Sequence, residues 1–297
     1  MEKSALAETD LTSCKYSIVI PARDEAETIG ELITELRDTL PRAEILVVDD
    51  GSIDDTASVS MSSGALVYRH PVSLGNGAAI KSGARKVSGD AIIFMDGDGQ
   101  HRVSCVLELI SKFESGWDMI VGSRSGRKAQ SSAARWVGNG FYNWYASALT
   151  GVQILDLTSG LRIVNRLKFL EILHLLPNKF SYPTTSTIAF IKLGYSVNFH
   201  EVDVKPAKGG SHINIFRDGV RFFAIIFKVT ILFSPFKFLM PISFLSALLG
   251  LMMYFLAAIE GTYRFTNGMA LLFTASFFSF SVALIAEQMT MLLYSKK

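Results

Sequence analysis

The chain has 297 residues, 49% of them hydrophobic and 19% charged, with a formal net charge of +2. That is too apolar for a disordered chain, and a charge so near balance gives no field that would hold nucleic acid. Two cysteines, Cys14 and Cys105, exclude a disulfide scaffold and a four-cysteine zinc site.

Residues 1–14 are expected to form a flexible start. They open with MEKSALAETD, which lacks a basic stretch followed by an apolar run, so no signal peptide is expected. Tyr16–Ile20 (YSIVI) is a short apolar strand ending at Pro21, and Thr28–Leu40 places Ile29, Leu32, Ile33 and Leu36 at helical spacing. Glu44–Val48 is the second strand and runs into Asp49-Asp50-Gly51-Ser52. A helix over Asp54–Met61 follows, with Asp54 as candidate N-cap. Leu66–Arg69 is the third strand, and Gly75-Asn76-Gly77 opens a helix that runs to about Val87. Ala91–Met95 is the fourth strand, ending in Asp96-Gly97-Asp98-Gly99-Gln100, and Met119–Gly122 is the fifth. Strands alternating with helices imply an α/β domain with a mostly parallel sheet.

Asn214–Phe233 reads as an amphipathic helix lying in a membrane interface. Asn214, Arg217, Asp218, Arg221 and Lys228 recur on one face, and Phe216, Val220, Phe223, Ala224 and Phe227 on the other. Two uncharged runs follow, Phe238–Ile259 and Phe265–Ala286. At about 1.5 Å per residue each can cross a bilayer core of roughly 30 Å. The short link Glu260–Arg264 makes them a hairpin. Arg217, Arg221, Lys228 and Lys237 precede the first run and Lys296 and Lys297 follow the second, against Arg264 alone between them. This asymmetry places both chain ends and the polar domain on the cytoplasmic side. The expected organisation is a domain over 15–212, a juxtamembrane helix over 213–234 and a transmembrane hairpin over 235–297.

The chemistry gathers where strands end. In open α/β sheets, ligands bind beyond the carboxyl ends of the strands. The second strand delivers Asp49 and Asp50 there, and the fourth delivers Asp96, Asp98 and Gln100. Hard cations such as Mg²⁺ or Mn²⁺ take oxygen ligands, often one or two carboxylates plus substrate phosphates. Gly75-Asn76-Gly77 is a candidate phosphate cradle at a helix N-terminus, although it matches neither G-x-G-x-x-G nor the Walker A pattern.

Taken together, the segments IPARDEAETI (20–29), VVDDGSIDDT (47–56), LGNGAAIKSGA (74–84), MDGDGQH (95–101), VGSR (121–124), DLTSGLRI (156–163) and GGSHINIFRDGVRF (209–222) resemble family 2 of the nucleotide-sugar glycosyltransferases. More closely, they are similar to the polyprenyl-phosphate group that contains dolichol-phosphate mannose synthase. The resemblance implies a GT-A, Rossmann-like domain. It implies a nucleotide pocket lined by Pro21, Ala22 and Glu25, with Asp50 near the base and Asp96 by the diphosphate. It further implies a metal held by Asp98 and Gln100 beside Asp96, and an acceptor phosphate facing Arg124 and Arg135. Asp156 lies in the motif beside the sugar and acceptor, followed by Thr158, Ser159 and Arg162. Where the family often has Arg-x-Gly-x-Ser-Lys, this chain has Lys208-Gly209-Gly210-Ser211-His212, with Lys208 and His212 as the cations in those places.

The activity so implied is transfer of one sugar from a nucleotide-sugar, a UDP-sugar or GDP-mannose, to a polyprenyl phosphate. The transfer inverts the anomeric centre and depends on Mg²⁺ or Mn²⁺, with Asp96, Asp98 and Asp156 as catalytic candidates. The expected partners are donor, lipid acceptor and membrane lipids, with no nucleic acid and self-association left open. Two alternatives are a processive polysaccharide synthase and a membrane-anchored nucleotide-binding scaffold without turnover. Against the first, the chain has no Q-x-x-R-W motif and only two spans.

Overall fold

In the computed structural model the chain divides into two compact units, Met1–His212 and Ile213–Lys297. The structure describes residues 16–124, 133–179, 181–204, 227, 230–262 and 264–295, and for 133–137, 139 and 293–295 it describes the backbone. The expected flexible start, Lys208, His212 and nearly all of the expected interface helix lie outside these residues.

The first unit alternates strands and helices: β1 (Tyr16–Ala22), α1 (Ala26–Thr39), β2 (Glu44–Asp49), α2 (Thr56–Ser62), β3 (Leu66–Arg69), α3 (Asn76–Lys86), β4 (Ala91–Phe94), α4 (Val103–Phe113) and β5 (Met119–Arg124). Then come α5 (Ala133–Thr150), β6 (Arg162–Asn165), α6 (Arg166–Glu171), α7 (Tyr182–Lys192) and β7 (Val197–Val202). The seven strands form one sheet in the order β3-β2-β1-β4-β6-β5-β7. Every pairing is parallel except those of β6, which runs against both β4 and β5.

The central strands are apolar throughout because both sheet faces are covered. Ile18, Val19 and Ile20 of β1 and Ile92, Ile93 and Phe94 of β4 have no exposed surface. The stripe Ile29, Leu32, Ile33 and Leu36 of α1 is buried. On area alone, each such side chain contributes about 2 kcal/mol when withdrawn from water. One local expectation needs correction. Helix α2 starts at Thr56 and Asp55 is its N-cap residue, without a side-chain capping bond. Asp54 instead sits one residue earlier, accepting from Thr56 N and Oγ1 with one oxygen and from Ala26 N with the other.

In the second unit, α8 (Pro235–Ile259) and α9 (Asn267–Ser295) form the expected hairpin. Both contain windows long and apolar enough to cross a membrane, with hydropathy 2.2 and 2.1, and only 11% of each window is buried. Small residues let the helices meet: Ser243 and Ser276 each donate to the other's backbone carbonyl at 2.9 Å, and Gly250 lies against the Phe273 ring. The Glu287 carboxylate of α9 accepts from Phe236 N in the first turn of α8 at 3.2 Å, meeting the positive end of that helix.

Candidate active site

Parallel strands end at a common edge of the sheet, so the loops after β1, β2, β4 and β5 open on one side. Because β6 is antiparallel, its first residue, Arg162, lies at that edge too, paired with both Phe94 and Val121. Residues far apart in sequence are thereby collected: 21–25, 49–55, 95–102, Arg124 and 156–162.

On the side of β1 and β2, Pro21 and Ala22 are the last residues of β1, and Ala22 O accepts from Asp50 N at 2.9 Å. Glu25 stands half-buried just before α1. Burial and the negative charges of Asp98, Asp54 and Asp24 raise its pKa, against a hydrogen bond from Thr28. Thr28 Oγ1 also donates to Gly97 O at 2.9 Å, tying α1 to the D-x-D loop. Asp49 is buried, accepting from Ser52 N and Oγ and lying 3.1 Å from Arg69 Nε.

Asp50, expected near the base, is engaged by the loop that follows β3. Its buried carboxylate pairs with His70 Nδ1 at 2.7 Å and accepts from Leu74 N at 2.9 Å on one oxygen. The other oxygen accepts from Ser73 Oγ and Gly75 N, each at 2.8 Å. Burial alone would raise its pKa, but these four donors outweigh it and hold the carboxyl below the usual range. The side chain shapes the 71–75 loop.

The expected cradle at Gly75-Asn76-Gly77 is likewise occupied by the protein. Ala78 N donates to Asn178 O at 2.8 Å and Gly77 N to Lys179 O at 3.3 Å, so two amides of the first turn of α3 are spent. A Cβ on Gly77 would fall 2.1 Å from Pro177 O. Glycine is there for close approach of the 177–179 backbone, and Lys81 Nζ pins that segment through Leu176 O and Asn178 Oδ1.

The D-x-D turn is different, because its charge is not neutralised. Among the described residues no ion pair engages Asp96 or Asp98. Asp98 accepts from Gln100 N at 3.0 Å and Gln100 Nε2 at 2.6 Å. The pKa of Asp96 is pushed up to about 6, first by burial and then by Asp98 and Glu25, with the charges of Arg162 and Arg124 opposing. Gly160 forms the wall behind it, since a Cβ there would lie 2.2 Å from Asp96 Oδ2. His101 is buried, its Nδ1 has no hydrogen-bond partner among the described residues, and burial lowers its pKa.

The opposite flank is held by a fork. Arg124 Nε donates to Asp156 Oδ2 at 2.7 Å, and Nη2 donates to Asp156 Oδ1 at 3.0 Å and Thr158 Oγ1 at 2.6 Å. Burial would raise the Asp156 pKa, but Arg124 holds it below the usual carboxylate range. Arg135 lies in the first turn of α5, and its side chain is outside the described residues, as are Lys208 and His212. Arg162 carries more than its place in the sequence announced. It is fully buried, donates to Pro183 O, Ser159 O, Ser186 Oγ and Thr187 Oγ1, and its Nε has no partner among the described residues. The DLTSGLRI segment marks Arg162 in the sequence, but its burial at the head of the short strand RIVN shows only in the fold.

Residues 17–173 match the family model described as glycosyl transferase family 2. The chain belongs to glycosyl transferase family 2. A second model, described as the GtrB C-terminal hairpin, matches residues 234–292 of this glycosyltransferase. It is 27% identical over 252 residues to glycosyltransferase AglJ of Haloferax volcanii, covering 83% of this chain and 82% of that one. It is 33% identical over 162 residues to the undecaprenyl-phosphate 4-deoxy-4-formamido-L-arabinose transferase of Salmonella choleraesuis, covering 51% of this chain and 49% of the relative. Among solved structures it resembles glucosyl-3-phosphoglycerate synthase of Mycobacterium tuberculosis in complex with Mn²⁺, UDP and phosphoglyceric acid. There the TM-score is 0.58 at 22% identity, over 73% of this chain and 78% of that one. That likeness establishes the GT-A fold of the transferase.

Proposed function

We propose that this glycosyltransferase moves one sugar from a nucleotide-sugar to a polyprenyl phosphate at the cytoplasmic face of a membrane, inverting the anomeric centre. The observation that carries the reading is one sheet edge holding un-neutralised carboxylates, Glu25, Asp96 and Asp98, across from the Arg124 guanidinium. The first group suits a cation with a diphosphate, and the second suits a phosphate acceptor. The undecaprenyl-phosphate named for the Salmonella relative supports the acceptor class. The organisation proposed is a catalytic domain over 15–212, a juxtamembrane helix over 213–234 and an anchoring hairpin over 235–297, with both termini cytoplasmic.

The donor set fits a divalent cation. Two carboxylates and the Gln100 amide oxygen are hard ligands, and their mutual repulsion is relieved by positive charge. Among the described residues no three His, Cys, Asp or Glu side chains converge on one point, so substrate phosphates are needed to complete the coordination. A bound Mg²⁺ or Mn²⁺ would supply charge stabilisation to the departing nucleoside diphosphate. Pro21, Ala22 and Glu25 line the donor pocket in this reading. Asp98 and Gln100 hold the cation, and Asp96 stands beside the diphosphate. Arg124, with Arg135, Lys208 and His212, orients the acceptor phosphate. An ionised phosphate oxygen is already a nucleophile, so Asp156 need not abstract a proton; it holds the Arg124 fork in place. Purified protein supplied with a panel of labelled nucleotide-sugars, undecaprenyl phosphate and Mn²⁺ should yield a lipid-linked monosaccharide on thin-layer separation. Release of free nucleotide without a labelled lipid, for every donor, would sink the proposal.

A further inference from the structure

His70 is a buried, titratable side chain that the proposed reaction does not use. It stands just past the end of β3, with its backbone N donating to Asp49 O at 2.8 Å and the residue only 3% exposed. The Tyr68 ring meets the imidazole edge-on at 5.6 Å. Both ring nitrogens are engaged, by residues on different elements. Nδ1 lies 2.7 Å from Asp50 Oδ1, just after β2, and Nε2 lies 2.9 Å from Ser82 Oγ, within α3.

These partners fix the role of each nitrogen. The Asp50 carboxyl is held ionised by its donors and so only accepts, which places the ring proton on Nδ1. Nε2 of the neutral ring then accepts from the Ser82 hydroxyl. Anchored at both nitrogens, between a helix and a strand end, the imidazole is fixed in position and in orientation.

The bond to Asp50 has a further reach. The other three donors to that carboxylate, Ser73 Oγ, Leu74 N and Gly75 N, belong to one loop, whereas His70 is tied to α3. Ser73 Oγ in turn accepts from Arg23 Nη1 at 3.1 Å. Arg23 lies between Ala22 and Glu25, in the segment assigned to the donor pocket. A continuous chain of hydrogen bonds therefore runs from Ser82 through His70, Asp50 and Ser73 to Arg23. Gly51, at φ +73°, lets the two loops close on each other, since a Cβ there would fall 2.8 Å from Ser73 N.

We propose that His70 is a positioning residue for the donor nucleotide: it holds the Asp50 carboxylate so that the 73–75 loop and Arg23 border the nucleotide pocket in one fixed arrangement. The proposal rests on the donor-pocket reading given above. The effect on nucleotide affinity follows from the Nδ1 bond and not from the bulk of the ring.

The two nitrogens can be replaced separately. In His70→Asn the side-chain amide stands where Nδ1 stood and can still donate to Asp50. In His70→Gln the amide reaches toward Ser82 instead. The full chain and each variant are titrated calorimetrically with UDP and with GDP, each in the presence of Mn²⁺, and melted alongside. For whichever nucleotide the native chain binds, His70→Gln is expected to weaken binding roughly tenfold or more, as for loss of a hydrogen bond to a charged group, while His70→Asn stays within about threefold. Equal affinity in the two variants, or a loss that follows the melting temperature instead of the retained nitrogen, overturns the proposal and leaves His70 a core residue only. Ser73→Ala, on the exposed loop, cuts the same chain at its next link and is expected to weaken the nucleotide by a similar factor. Native affinity in Ser73→Ala overturns the proposal even if His70→Gln does not fold. A native chain that binds neither nucleotide overturns the donor-pocket reading and this inference with it.

Discussion

Arg124 and Asp156 form a two-pronged ion pair, with contacts of 2.7 and 3.0 Å, at the edge where β5 ends and the chain returns toward β6. The arginine is thus fixed by the protein itself, and in the reading proposed above its remaining donor capacity would meet the acceptor phosphate. Replacing Asp156 by Ala leaves a largely desolvated guanidinium without its counter-ion. A loss of about 3 kcal/mol in stability is expected, as for one partner of a buried pair. The apparent KM for lipid phosphate should rise more than that for the nucleotide-sugar. A thermal melt and steady-state kinetics on Asp156→Ala check both parts, and an unchanged melting temperature would contradict the first.

Asp98→Ala should abolish metal-dependent transfer in a protein that still folds. A group that holds a cation against a leaving diphosphate contributes several kcal/mol to the transition state. Near-normal turnover with unaltered metal dependence would remove Asp98 from the mechanism.

Gly160→Ala should act on Asp96 from behind. The added methyl would lie 2.2 Å from Asp96 Oδ2 and must displace the carboxylate or the 158–161 backbone. Mn²⁺ affinity measured by paramagnetic titration is expected to fall while the circular dichroism spectrum is kept. Wild-type affinity in Gly160→Ala would show that Asp96 does not need its present position.

In the metal site proposed above, proton and cation would compete at Asp96. Its pKa is raised from 3.8 to about 6 in the fold, so the native metal-free protein binds the proton more tightly than the unfolded chain does. The contribution of Asp96 to stability is therefore present below 3.8 and is lost as pH rises through about 6. For metal the sign is reversed: affinity should weaken by up to about tenfold per pH unit below about pH 6. Asp96→Asn should bind Mn²⁺ weakly and with a flatter pH profile. Isothermal titration across this range distinguishes the two, and parallel profiles would refute the assignment.

The sheet is most legible in the sequence where burial leaves a mark. Strands β1, β2 and β4 are covered on both faces and appear as continuous apolar runs, and the D-x-D turn follows the last of them. Strand β7 (VNFHEV) has mostly half-exposed residues, and β6 has four residues opened by an arginine, so neither stands out as a strand. The loop-ordering partners of Asp50 are hidden from the sequence for a related reason. An acidic residue after a strand looks alike whether it serves a ligand or a loop. Only the fold brings His70, Ser73, Leu74 and Gly75 onto it. The glycines of 75–77 were open to a phosphate reading because the 177–179 segment that covers them lies a hundred residues away in sequence.

The reversal of β6 has a consequence for how such an enzyme can diversify. The chain leaves the sheet at Arg124 and re-enters beside it at Arg162, with Val121 paired to Arg162 across the two strands. Everything from 125 to 161 is therefore an excursion with fixed, adjacent ends. Apart from Asp156 and Gly160, which touch Arg124 and Asp96, its length and content can be rewritten without shifting the register of any strand that presents Glu25, Asp96 or Asp98. In the reading proposed above, variants confined to 133–155 leave Gly160 behind Asp96 and the Arg124–Asp156 fork in place, and are the natural library from which to select a transferase for a different lipid.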